Sequence, residues 1–89
     1  MQVTIDLGSA ETEKDIHALL KESLSFPDYY GYNLDALYDV LLDPHEYWDI
    51  SFTNCRHLWE TKALYMEELK ATFMDAIVEG SCLRTEWYA

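Results

Sequence analysis

Glycine, proline and cysteine are scarce in this 89-residue chain, at 3, 2 and 2 copies, and Lys and Arg number 6 against 17 Asp and Glu. So few glycines leave no glycine-rich loop to cradle a phosphate, which removes the nucleotide-binding motifs. The two cysteines, Cys55 and Cys82, match no zinc or redox spacing, and reduced thiols are expected of them. No apolar run reaches the roughly 18 residues of a membrane span. The first residues, Met1 to Leu7, alternate polar with apolar and lack the basic start and continuous apolar run of a signal peptide, so a cytoplasmic location is expected. The shortage of basic residues leaves a formal net charge of -11. Such a surface repels the phosphates of DNA and RNA and the headgroups of an anionic membrane, and attracts cations or basic proteins.

What the chain does hold is 49% hydrophobic and 15% aromatic residues, enough apolar surface to offset the entropy of folding. Its length predicts one small domain over residues 1–89. Val3, Ile5 and Leu7 alternate with Gln2, Thr4 and Asp6 as in a strand with one buried face. From Thr12, an expected N-cap, Ile16, Leu19, Leu20 and Leu24 recur at helical spacing, and Pro27 is expected to close this helix. The aromatic connector Phe26 to Tyr32 follows, from which Tyr30 is expected to pack into the core. Asn33 then caps a helix with Leu34, Leu37 and Leu41 on one stripe and Tyr38 at its margin, ended by Asp43-Pro44.

Trp48, Ile50 and Phe52 alternate as a second strand, and a short helix is expected around Arg56 to Glu60. A longer one runs from about Leu64 to Glu79, with Tyr65, Leu69, Phe73, Ala76 and Ile77 on its apolar face and Gly80 as its stop. Cys82 to Tyr88 reads as a last strand. Strands separated by helices predict an α/β domain with a small three-stranded parallel sheet, and the alternation within the strands places the helices mainly on one side.

Asp35 and Asp39 lie about 40° apart around their helix and well away from its apolar stripe. Like charges at this spacing repel slightly, so folding alone does not ask for them. Beside the tyrosines of the preceding connector they form a patch with the makings of an interface. Glu68, Asp75 and Glu79 make a second acidic row. His17 reads as a plain surface residue on the polar side of the first helix. Enzyme chemistry finds no motif, no cofactor is implied, and the histidines lack metal-ligand spacing, although Asp35, Asp39 and His45 are the set that would meet at a divalent ion if one bound.

The run Pro27-Asp28-Tyr29-Tyr30-Gly31-Tyr32-Asn33-Leu34-Asp35-Ala36-Leu37-Tyr38-Asp39-Val40-Leu41 resembles the signature of the barstar family, intracellular inhibitors of secreted bacterial ribonucleases. Asp15-Ile16-His17, Glu46-Tyr47, Phe73-Met74-Asp75-Ala76 and Glu79-Gly80 also fall at family-like positions. The resemblance implies a non-enzymatic protein that plugs a ribonuclease active site with its loop and second helix, in a one-to-one complex. On that pattern Asp39 enters the pocket of an RNA phosphate, Tyr29, Asn33 and Asp35 surround it, and Asp75 adds an acidic contact. Tyr38, Asp43 and Glu46 complete the expected partner-binding set. The chain departs from the pattern on this side: Tyr38 replaces a tryptophan, Leu42-Asp43-Pro44 replaces Thr-Gly-Trp, and Tyr32 stands where an acidic residue is common. The expected partner is a basic, guanyl-preferring ribonuclease of the extracellular type. The alternative is a nucleic-acid mimic or immunity protein that binds a different basic nuclease or nucleic-acid-binding protein.

Overall fold

The alternating and helical patterns become seven elements in a computed structural model that describes every residue from Met1 to Ala89: β1 (Gln2–Asp6), α1 (Glu13–Leu24), α2 (Leu34–Leu42), β2 (Trp48–Thr53), α3 (Arg56–Thr61), α4 (Ala63–Val78) and β3 (Leu83–Trp87). The three strands form one sheet in the order β1-β2-β3. Both pairings are parallel, with Val3 opposite Ile50 and Ile50 opposite Thr85. In the central strand Trp48, Ile50 and Phe52 are buried while Asp49, Ser51 and Thr53 are only half-buried. One face of the sheet therefore carries the helices and the other stays polar. This departs from the usual parallel sheet, covered on both faces, and matches the alternation in the sequence.

The core sits between that face and the helices. Ile16, Leu20 and Leu24 of α1, Leu37 and Leu41 of α2, and Met66, Leu69, Phe73 and Ala76 of α4 are buried in it. The Phe52 ring stacks on Trp87 at 4.0 Å between centroids and meets Phe73 edge-on at 5.5 Å. These aromatic contacts tie α4 to the two C-terminal strands.

Local chemistry sets the helix ends. The Thr12 hydroxyl accepts from the Asp15 N–H while the Asp15 carboxylate accepts from the Thr12 N–H, a reciprocal cap that settles the start of α1. The helix ends before Pro27, because Ser25 turns into the left-handed region at φ 55°. In α4 the buried residue of the first turn is Met66, whereas Tyr65, expected in the core, is half-buried and turned toward α1. α2 and α4 pack side by side. No helix is long and apolar enough to cross a membrane.

Candidate partner-binding site

The start of α2 and the loop before it are built by one side chain. Asn33 Oδ1 accepts from the Ala36 N–H at 2.8 Å, and Asn33 Nδ2 donates to the Gly31 carbonyl at 3.1 Å. The cap thus folds the tyrosine loop back against the first helical turn. Space there is tight: a Cβ on Gly31 would lie 3.2 Å from the Ala36 Cβ. Asn33 is consequently engaged within the chain and acts on the site by shaping it.

With Leu37 and Leu41 turned into the core, Asp35 and Asp39 project from the opposite side of α2, and both are exposed. Leu34, Asp35, Tyr38 and Asp39 line one wall of an open groove of about 470 Å³, and Thr72 and Asp75 of α4 line the other. The ion pairs of the protein are Arg84 with Asp49 and Arg84 with Glu86. No lysine or arginine of the chain therefore neutralises Asp35, Asp39 or Asp75. Tyr38 is half-buried at the groove, and its phenol is pushed up by burial first and then by Glu79, Asp75 and Asp39. Glu79 thus acts on the Tyr38 phenol through its charge without lining the groove. Its spacing from Asp75 already marked it as part of an acidic row, but only the packing of α4 on α2 brings it to Tyr38.

A second hollow of about 250 Å³ lies against the loop, lined among others by Tyr29, Gly31, Asp39 and Asp43. Asp39 lines both hollows and so stands at their junction. Tyr29 is 85% exposed beside it, whereas Tyr30 is buried, as expected of the residue that seats the loop. Of the expected site residues, then, Asp35, Tyr38, Asp39 and Asp75 share the groove, and Tyr29, Asp39 and Asp43 share the second hollow. Glu46 is exposed in the connector between α2 and β2 and lines neither.

His17 is not a surface residue. It is fully buried, with Nδ1 at 2.6 Å from the Tyr30 hydroxyl and Nε2 hydrogen-bonded to the Tyr65 hydroxyl. Its helical position, about 100° from Ile16, reads as the polar edge of α1. The tyrosine loop and α4 close over that edge. A neutral imidazole donates from one nitrogen and accepts at the other, so one phenol accepts while the other donates. The ring joins α1, the loop and α4.

Burial pushes the His17 imidazole down from its ordinary 6.5 to about 4. Between those values the unfolded chain holds more protons than the folded one, so stability is full above about pH 6.5 and falls as pH drops toward 4. The expected loss over that window is about 2 to 3 kcal/mol. Asp6 and Asp15, lowered by their hydrogen bonds to Asn54 and Gly8 and to Glu11 and Thr12, respond only below the ordinary carboxyl value. Urea unfolding of wild type and His17→Gln at pH 7 and pH 4.5 checks this: the variant loses the slope between the two, and an equal slope in both proteins would refute the assignment.

The metal alternative loses its third member. Both ring nitrogens of His45 are hydrogen-bonded elsewhere, Nδ1 to the Glu46 carbonyl and Nε2 to the Leu41 carbonyl and Ser81 Oγ, and the ring stacks on Trp48. Asp35, Asp39 and His45 do not meet, and no three His, Cys, Asp or Glu side chains gather in a metal-binding group.

A protein-family model described as Barstar (barnase inhibitor) matches residues 1–84. This chain belongs to the barstar family. Within it, a 40-residue segment is 50% identical to the "Putative ribonuclease inhibitor YrdF" of Bacillus subtilis (strain 168), covering 45% of this chain and 44% of that relative. The match thus spans less than half of the curated relative's length. The barstar-family match runs from β1 into β3 and takes in both walls of the groove.

Proposed function

We propose that this protein inhibits a basic, guanyl-preferring ribonuclease of the secreted bacterial type by placing the Asp39 carboxylate where an RNA phosphate would sit. The observation that carries the reading is the place of Asp39, exposed at the junction of two hollows and left without a cation by its own chain. A cleft of Arg, Lys and His built to hold phosphate will hold a fixed carboxylate through the same charge-assisted hydrogen bonds. Membership of the barstar family supports the class of partner.

The remaining roles follow from position. Asp35 and Asp75 add charge across the groove, which steers a basic partner and speeds its approach. Tyr29 offers a rigid exposed ring, Asp43 at the far end of α2 deepens the negative charge beside it, and Asn33 holds the loop that presents Tyr29. Tyr38 contributes groove wall, and Glu46 belongs to the rim. The complex is one-to-one and forms in the cytoplasm of the producing cell.

Titrating the protein into the ribonuclease fractions secreted by the source organism tests this. RNA cleavage by one basic fraction is expected to stop at an equimolar ratio. Undiminished cleavage in every fraction at large molar excess would refute the proposal, and binding to a basic nuclease with RNA cleavage intact would mark a protein of another immunity class.

A further inference from the structure

α4 carries apolar side chains that the core does not use. Met66, Leu69, Phe73 and Ala76 are buried, yet Val78 is 81% exposed and Met74 47% exposed, and Ala71, one turn before Met74, is exposed too. Helix geometry puts Ala71, Val78 and Met74 about 40°, 60° and 100° around α4 from Asp75, on the side away from Thr72 and the groove. The surface therefore runs from the groove over Asp75, at its lip, directly onto an apolar row. Leu64, also exposed at 71%, is about 16 Å farther along the helix from Asp75 and stands apart. Folding supplies no reason for the row, since a β-branched valine in the last turn lowers helix propensity and here buries almost nothing.

We infer that Ala71, Met74 and Val78 extend the partner-binding surface over the lip of the groove, where an apolar ridge beside the cationic cleft of the same ribonuclease covers them. The inference rests on the inhibitor reading and adds a second, uncharged part to the contact. Charge selects this occupant over a second copy of the chain. In a two-fold antiparallel pairing of α4 with itself, each edge of the row meets its own counterpart, so the Glu68 and Asp75 edge would face Glu68 and Asp75 again. Those molecules carry a formal charge of -11 each. A basic partner meets no such repulsion. Size agrees: an ordinary interface covers about 800 Å² per partner, a patch roughly 30 Å across, whereas the 16 residues of α4 span about 24 Å. A nuclease centred on Asp39 cannot easily stop at Asp75.

The test compares Met74→Ser/Val78→Ser with Leu64→Ser, Val78→Lys and wild type in inhibition of the secreted ribonuclease fraction that wild type blocks. The double variant is expected to raise the inhibition constant about ten-fold, equivalent to about 1.4 kcal/mol, with faster dissociation and an unchanged thermal midpoint. Leu64→Ser is expected to inhibit as wild type does. Val78→Lys, which sets a cation before a cationic partner, is expected to weaken inhibition most at low ionic strength. Equal inhibition by the double variant and wild type overturns this inference and leaves the inhibitor reading standing, whereas failure of wild type to inhibit overturns both. Dimerisation of wild type that Val78→Ser abolishes would overturn it in favour of a second copy.

Discussion

Replacing Asp39 by alanine is expected to weaken inhibition by about 2 to 5 kcal/mol, roughly 30-fold to several thousand-fold, while leaving the protein folded. That range is the general one for truncating one member of a buried, hydrogen-bonded interfacial charge pair, and barstar-type complexes are themselves among those from which it was drawn. The cause lies mostly with the partner: once the carboxylate is gone, the cations of the ribonuclease cleft remain buried against alanine without compensation. The effect should therefore appear in the dissociation rate. Stability moves the other way, if at all, because Asp39 is exposed and its removal relieves the like-charge contact with Asp35, worth a few tenths of a kcal/mol. Asp35→Ala, at the groove wall, is expected to slow association and flatten its dependence on salt. Paired inhibition assays and thermal melts of Asp39→Ala and wild type decide the matter: equal inhibition constants would remove Asp39 from the contact.

The acidic face of α2 was legible because each part of it is local. Asn33 announces the cap, Leu37 and Leu41 point out the buried side, and Asp35 and Asp39 follow from a four-residue spacing. The alternation of β2 likewise revealed a sheet open on one face. What covers a given side chain when a distant segment arrives was not legible. His17 looked like an exposed residue until Tyr30 and Tyr65, 13 and 48 positions away, closed over it. Glu79 stood in a row with Asp75, yet its approach to Tyr38 needs α4 laid beside α2. Asp43 and Glu46 are near neighbours in sequence, but the connector brings only Asp43 to Tyr29 and leaves Glu46 outside both hollows. Helical and strand periods report the face on which a residue lies; they do not report what arrives to cover it.

Leu37→Ala is expected to show the converse of Asp39→Ala, although the two positions are neighbours on one helix. Leu37 is fully buried beneath the groove and is part of the single core cluster. Removing its branch should cost about 2 to 5 kcal/mol through lost burial and the cavity left behind. A domain of this size has about 5 to 15 kcal/mol in all, so the urea midpoint should fall steeply at unchanged slope and the thermal midpoint by about 10 °C or more. Inhibition per folded molecule should stay near wild type at low temperature, because the carboxylates still project from an intact helix. Any loss on warming should then follow the folded fraction, since only folded molecules bind. If Leu37→Ala instead kept its stability and lost inhibition, the apolar stripe of α2 would be the face that meets the partner, and the groove of Asp35, Asp39 and Asp75 would lie on the wrong side of the helix.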